Sequence, residues 1–454
     1  MIMSELSRFT IRTSDRRVFR RCLRKWDWQS SLRQNLQKQG AEQNIHFWFG
    51  SAIHFALEDY HTYNKFGDPR RAFKAYYEAF DEDKRPDGSS EAYDIGIGML
   101  TYYLEWLPKH NEEHGFETLW LTEDNKEAKP FSEGAKPATE IQFFLDLDIK
   151  VIVDLVSEEI IKEYVPGSDD VFLERSAVFD FATDAEDNLL YHSDGKIRTV
   201  KIVPIHYHGT IDRIVTDKYG RWWLLDYKTA KSADTNKLDT DDQINAYLWA
   251  MEQYLQHPLY GFIYLQLTKD VPKPPKKLKN GDLSVDKKQK TTYHLVREAL
   301  IKEFGSIKQA PNKYIDFLNI FAELEFPEGD RFIRWDFVRR SPAQIISTYN
   351  HIIGEVRTMI NPNLYLYPNP TRDCIWDCPI RDICIAMDDA RMEDVLFSKN
   401  TEYEKRPRGE DGNSEKWRKN LKYPEDPLKE VTPDEFKLEL KDVQLVIENT
   451  EEEE

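Results

Sequence analysis

Residues 208–231, HGTIDRIVTDKYGRWWLLDYKTAK, read as two strands folded back on one another. Period-two patterning flanks Asp217-Lys218-Tyr219-Gly220, where a glycine that tolerates positive φ closes a tight turn. Asp226 and Lys228 then share one face of the second strand. With Lys218-Tyr219-Gly220 as a three-residue loop, Asp217 pairs with Arg221 and the ladder sets Asp212 across from Asp226. A two- or four-residue loop leaves the carboxylates on opposite faces. Two converging carboxylates beside a lysine suit Mg²⁺ or Mn²⁺, with the ammonium free to hold or deprotonate a water. The competing reading is a solvated Asp/Lys cluster, worth a few tenths of a kcal/mol, as D-x-K triplets are common by chance. Trp222, Trp223, Leu224 and Leu225 weigh against it, because they mark a strand buried on both faces that ends in charges.

Working outward, residues 45–63 carry apolar residues at helical spacing, with Gly50, His54 and Glu58 in one i, i+4 row. A lone helical histidine is usually an ordinary core or surface residue, and a glycine one turn earlier admits a close backbone neighbour. On the helix read at 240–256, Gln243 and Tyr247 share one face, while Ile244, Leu248, Met251 and Leu255 form an apolar row facing the core. His206 and His208 alternate in the strand that carries Asp212 and read as strand residues. The order Gly50-x3-His54, GTID ending at Asp212, DYK from Asp226 to Lys228, and Gln243-x3-Tyr247 resembles the RecB-like branch of the PD-(D/E)XK nucleases. The resemblance spans most of residues 15–390, though only the motifs are specific. It implies a restriction-endonuclease-like α/β core with a mixed central sheet. It also implies a metal held by His54, Asp212, Asp226 and the Tyr227 carbonyl, a catalytic Lys228 that positions the attacking water, and DNA beside Gln243 and Tyr247.

Of four cysteines, three cluster as Cys374-x3-Cys378-x5-Cys384, and the fourth, Cys22, is distant. Four thiolates match a [4Fe-4S] cluster or a structural zinc. The arrangement resembles the iron-sulfur staple of AddB, of CRISPR-associated RecB-like nucleases and of exonuclease V, except that their first spacer is usually x2. Iron-sulfur is favoured, with zinc as the alternative. Closing a loop of roughly 350 residues costs on the order of 5 kcal/mol of chain entropy, so such a staple would be structural first. A large, cysteine-poor chain without an apolar secretory segment points to a reducing, intracellular compartment.

A net charge of -18 is unusual for a DNA-binding protein, so its distribution matters. Residues 8–25 carry seven Arg and one Lys against one Asp. Residues 269–290 form a Pro/Lys-rich loop, read either as solvated surface or as backbone contacts to nucleic acid, and Arg339-Arg340 follow a strand. Arg24 and Lys25, next to Cys22, are candidate DNA contacts. Residues 401–454 hold ten Lys/Arg against seventeen Asp/Glu, so acid is parked at the C-terminal end. The expected organisation is a nuclease domain over 1–395, with a helical region at about 15–165, a catalytic core at about 170–268 and an insertion at about 270–330. A flexible acidic tail, 396–454, follows. Within the core the expected strands are 171–181, 201–216, 221–228 and 259–268, with a right-handed crossover through the 240–256 helix; a further strand, 331–338, and a long helix, 341–359, come after the insertion.

No apolar run reaches membrane-spanning length, and no G-x4-G-K-[ST] phosphate loop occurs, so a helicase or recombination partner would be a separate chain. The expected function is a metal-dependent deoxyribonuclease, an exonuclease on single-stranded DNA or DNA ends. The alternative is a DNA-binding or assembly subunit with a vestigial site, against which the intact motif positions argue.

Overall fold

The computed structural model describes residues 9–39, 44–154, 159–165, 180–181, 199–231, 238–325, 329–376, 378–405 and 417–436. Its strands in chain order are β1 (Thr10–Arg12), β2 (Leu36–Lys38), β3 (Glu117–Thr118), β4 (Trp120–Leu121), β5 (Lys136–Pro137), β6 (Thr139–Asp154) and β7 (Ile160–Tyr164). Then come β8 (Asp180–Phe181), β9 (Thr199–Thr216), β10 (Trp222–Ala230), β11 (Gly261–Thr268), β12 (Ile333–Val338) and β13 (Tyr403–Lys405). The helices of the first half are α1 (Thr13–Arg21), α2 (Leu23–Gln29), α3 (Ile45–Tyr60), α4 (Pro69–Glu78), α5 (Ser89–Asn111) and α6 (Asp242–Leu255). The rest are α7 (Tyr293–Phe304), α8 (Asn312–Leu324), α9 (Pro342–Met359), α10 (Asp373–Trp376), α11 (Arg381–Asp388) and α12 (Met392–Thr401).

Among the described residues one sheet runs β12-β11-β10-β9-β6-β7, with β1, β3 and β8 also pairing with β9. It is mixed: β10 and β11 are parallel, joined through α6, while β9 is antiparallel to both β10 and β6. The β9–β10 hairpin has the three-residue loop, since Asp217 N donates to Arg221 O at 3.1 Å and Gly220 N to Asp217 O at 2.9 Å. Gly220 takes φ +74°, the left-handed region that a side chain disfavours. The register pairs Trp222 with Thr216 and Leu225 with Arg213, so its next step sets Asp226 opposite Asp212.

Alternation along β10 divides its side chains between two cores. Trp222 and Leu224 pack with Ile244, Leu248 and Met251 of α6, under α9, where Trp249 and Tyr349 sit with ring centroids 5.2 Å apart. Trp223, Leu225 and Tyr227 pack with Ile53, Ala56 and Leu57 of α3 and with Tyr103 and Trp106 of α5. Leu224 and Leu225 are 0% and 3% exposed, and each contributes about 1.5–3 kcal/mol by burial. Such a strand stays put, so the charges at its end are held in place.

Two expectations are corrected. The helical region ends at Asn111, and the strands β3 to β7 follow, including the 16-residue β6. Its alternation of Ile141, Phe143, Leu145 and Leu147 is a half-buried strand pattern, interrupted by a register shift between Asp146 and Lys150 that breaks the period. The expected strand at 171–181 is described only at β8; residues 171–179 lie outside the described residues. The second correction is the tail. Residues 403–405 pair with β2, and residues 417–436 form a strap across α3 and α4. Trp417 is 9% exposed among Phe55, Tyr76 and Phe80; Tyr423 stacks on Phe66 at 4.8 Å; Glu435 accepts two bonds from Arg71. Composition hid these aromatic anchors in an acidic background. Residues 437–454 lie outside the described residues.

Residues 293–324 form a helix pair, α7 and α8, around its own small core of Val296, Leu300, Tyr314, Phe317 and Phe321. Lysines of the preceding loop pair locally, Lys277 with Glu303 at 2.7 Å and Lys290 with Asp270 at 3.0 Å. Exposed pairs of this kind contribute little stability.

Candidate metal centre

α3 delivers His54 to the end of the hairpin. Asn44 caps that helix, its side chain accepting from His46 N at 2.8 Å. The helix is pinned by Trp48, Ala52, Ile53 and Ala56, all 0% exposed, which leaves half-buried His54 and Glu58 on the side facing the sheet end. A Cβ at Gly50 would meet Thr229 Oγ1 at 3.6 Å, an ordinary contact, so the protein's own packing does not demand glycine there. His54 Nδ1 lies 3.5 Å from Asp212 Oδ1, and its ring meets Tyr227 edge-on at 5.9 Å. Tyr227 N donates to Asp212 Oδ2 at 2.7 Å, which fixes the carboxylate's orientation. Asp226 and Lys228 form an ion pair of 2.7 Å.

One further carboxylate belongs here. The β6–β9 register pairs Thr139 with Arg213 and Ile141 with Ile211, setting Glu140 opposite Asp212. Donor atoms of His54, Glu140 and Asp212 all lie within 4.8 Å of one another. The sequence expectation of a helical region over about 15–165 hides Glu140; its visible signal is an acid directly preceding the alternating run IQFFLDL.

The charges are crowded. Burial pushes the Asp226 carboxyl above its ordinary value, with Asp212 adding to the rise and Lys228 opposing it. Burial opposes ionisation of Asp212, but His54 and then Lys228 outweigh it and hold its carboxyl below the usual range. Burial would lower His54, yet Asp212 prevails and pushes it up to about 9. Glu140 is pushed up to about 8 by the enclosure of its carboxyl and then by Asp212 and Glu58, although the residue keeps a solvent-exposed side where water screens part of the effect. Lys228 is raised: burial disfavours its charge, but Asp226 and Asp212 prevail. Carboxylates and an imidazole forced together in this way are the donor set of a hard divalent cation, whose charge would relieve the repulsion among them.

Beside Lys228 opens a cleft of about 560 Å³, lined also by Arg12, Arg17, His208, Gln243, Tyr247 and Tyr264. The structure thus brings Gln243 and Tyr247 to the same cleft as Lys228. Asp241 caps α6 through Gln243 N at 2.7 Å, and Tyr247 bonds to Gln243. His208 stacks on Phe144 at 4.2 Å. Arg12 and Arg17 come from the basic run 8–25 by way of β1, which lies parallel to β9 with Arg12 beside His208. Arg24 and Lys25 turn elsewhere. Lys25 is 8% exposed, and Arg24 Nη1 bonds to Asp388 at 2.7 Å and to both O and Sγ of Cys384 at 3.2 Å.

Residues 13–385 match the PD-(D/E)XK nuclease superfamily over the helices, hairpin and crossover just described. The chain belongs to that superfamily. A PD-(D/E)XK nuclease is a metal-dependent phosphodiesterase whose substrate is DNA, and the mixed sheet flanked by helices is the superfamily's restriction-endonuclease-like core. No curated protein matches the chain by sequence. Among the described residues no helix is long and apolar enough to cross a membrane.

The cysteines of this PD-(D/E)XK chain meet at a corner of their own. Cys22 separates α1 from α2, Cys374 is in α10 and Cys384 in α11, and all four thiols are free. Burial raises the Cys378 thiol, and Cys374 and Cys22 are near enough to raise it further against Lys25. Trp28, Leu36, Ile380, Ile383 and Tyr403 form a small core here, crossed by the β2–β13 ladder.

Proposed function

We propose that this chain is a RecB-like exonuclease that hydrolyses single-stranded DNA or DNA ends with Mg²⁺ or Mn²⁺, in a reducing intracellular compartment. The observation that carries the reading is the cleft that leads from Lys228 past Gln243, Tyr247 and Tyr264 to Arg12 and Arg17. Arginines track a phosphate backbone while aromatic rings stack on unpaired bases, a combination that serves single strands better than a duplex.

His54, Asp212, Glu140 and Asp226, with the Tyr227 carbonyl, would hold the cation. When bound, it supplies a water of lowered pKa and offsets charge building on the phosphate. The chain's own groups do the rest. Lys228 Nζ, held by Asp226, donates to the attacking water and orients it, and the half-buried imidazole of His54 keeps the Asp212 carboxylate aimed inward. Arg12 and Arg17 anchor the strand behind the scissile bond.

The test is an end-labelled single strand and a covalently closed circle of the same sequence, incubated with Mg²⁺ or Mn²⁺. Loss of the linear strand with survival of the circle is expected. A circle cut as fast as the linear strand refutes exonuclease action, and an Asp226→Ala protein with wild-type turnover refutes the site.

The cysteine corner is read as the seat of a [4Fe-4S] cluster, with zinc as the alternative. Support comes from the nearness of Cys22 and Cys374 to Cys378 and from the Arg24 contact to Cys384. Anaerobic protein should be brown and contain iron. Colourless protein that contains zinc would replace the cofactor and keep the nuclease.

A further inference from the structure

The strap, residues 417–436, lies outside the matched span 13–385. Its first residues reach the metal centre. Trp417 is sunk against Phe55, one residue beyond His54 on α3, with ring centroids at 5.1 Å, and against Tyr76 of α4 at 4.4 Å. That anchor leaves Arg418 at the lip of the site. Its guanidinium stands 5.8 Å over the Phe55 ring and 5.3 Å over Trp417, and Nη2 is 3.9 Å from Glu58 Oε2. Glu58 is one turn beyond His54, and its carboxylate feels Asp212; Arg418 in turn acts on both Glu58 and Glu140.

Two features distinguish this arginine from a surface ion pair. The first is freedom: its side chain is 48% exposed, and the pair with Glu58 occupies at most one of five N–H donors. The second is position. Lys228 lines the basic cleft while Glu58 and Arg418 do not, and Arg418 pairs with Glu58 one turn beyond His54, so it sits by the metal ligands outside that cleft, at an exit for a strand that continues past them. Without it, that exit would present Glu58 and Glu140 to a polyanion.

The rest of the strap keeps the arginine there. Asn420 Nδ2 donates to Ala79 O at 2.9 Å, Lys74 Nζ donates to Glu435 O at 2.7 Å, and Arg71 grips the Glu435 carboxylate. Gly67 takes φ +71° directly beneath Pro427, where a Cβ would fall 1.6 Å from the Pro427 carbonyl oxygen. This face is shaped to receive the strap.

We propose that the strap completes the nuclease site, with Arg418 contacting the DNA phosphate on the far side of the scissile bond from the Arg12/Arg17 cleft. The proposal rests on the nuclease reading above for its substrate. A planar guanidinium held by an aromatic neighbour suits bidentate grip of a phosphate.

The experiment compares wild type, Arg418→Ala, Arg418→Gln and Arg418→Lys. Binding of a fluorescein-labelled oligothymidylate is followed by anisotropy in Ca²⁺ across a salt series, with thermal melts alongside and cleavage in Mg²⁺ and in Mn²⁺ measured separately. Both neutral variants should bind about tenfold more weakly and lose about 0.7 from the slope of log K against log salt, the share of one single-strand phosphate contact. Arg418→Lys should keep the slope and lose part of the affinity. A lowered melting temperature with an unchanged slope makes Arg418 merely structural and overturns the proposal. So does any pair of folded neutral variants that bind as wild type does. The slope change in a protein that fails to cut in either Mg²⁺ or Mn²⁺ upholds the strap contact and removes the nuclease reading; a protein that cuts with all slopes alike removes the strap contact alone.

Discussion

Asp217 is the pin of the hairpin, and its removal should cost more than an ordinary turn substitution. The residue is 6% exposed, yet its carboxylate accepts four bonds: Tyr219 N at 2.9 Å, Arg221 N at 3.0 Å, Arg221 Nε at 2.7 Å and Trp223 Nε1 at 3.1 Å. In Asp217→Ala the two turn amides can regain water, because Tyr219 is 70% exposed. The Trp223 indole, 5% exposed, cannot. A stranded indole N–H costs about 1–3 kcal/mol, and loss of the charged bond to Arg221 adds about 1.5–3 kcal/mol, for a total of roughly 2.5–6 kcal/mol. In a chain of this size that is a fall of roughly 3–6 °C in Tm. Asp217→Asn keeps one acceptor and should lose about half as much. Burial raises the Asp217 carboxyl, but the bonds from Arg221 and Trp223 outweigh it, leaving a net lowering. The stabilisation is therefore complete above about pH 4 and is lost as pH falls through the folded value, so variant and wild type converge in acid. Activity adds a second readout. A slip of one residue carries Asp226 to the other face, so Asp217→Ala should lose cleavage beyond its loss of stability. Melting followed by tryptophan fluorescence, paired with an oligonucleotide cleavage assay, measures both. An alanine variant with unchanged Tm and unchanged cleavage refutes the idea that this carboxylate sets the register.

Glu140→Gln should weaken Mn²⁺ binding at least tenfold by titration calorimetry, and an unchanged affinity would remove Glu140 from the donor set. Because His54 is pushed up to about 9, the metal must displace a proton from it, so wild-type Mn²⁺ affinity should tighten as pH rises from about 6.5 towards about 9; a flat profile refutes the His54–Asp212 pairing. Lys228→Met should cut kcat about 10²-fold or more while oligonucleotide binding changes little, since the loss falls on the water rather than on the strand. Gly67→Ala forces a side chain into the left-handed region and into Pro427, so limited proteolysis should open the 417–436 strap at least tenfold faster than in wild type.

The hairpin was legible because three independent local signals agree: period-two patterning, a turn glycine, and a hydrophobic run too long for a one-sided strand. The register that sets Asp212 opposite Asp226 follows from the loop length alone. α3 and α6 were legible for the same reason, since Ile244, Leu248, Met251 and Leu255 repeat at helical spacing and are buried as a row. Glu140 was not, because β6 is interrupted by its register shift, and a broken alternation over 16 residues loses its period. Arg24 and Lys25 show another limit: nearness to Cys22 in sequence brings them to the cysteine corner, which the fold separates from the cleft. The strap lay beyond reach for a different reason. Its receptor, with Gly67 at the centre, is some 360 residues from Pro427, and only folding discloses that the two belong together.

The Arg71–Glu435 bond closes over 364 residues of chain. On a ribosome, the hairpin with its paired aspartates emerges and can fold long before residue 435 is synthesised, as N-terminal segments generally do. For that interval the carboxylates exist without Arg418, and the exit side of the site is uncovered. Covering of that side thus waits for residues made only after the whole of the matched span 13–385.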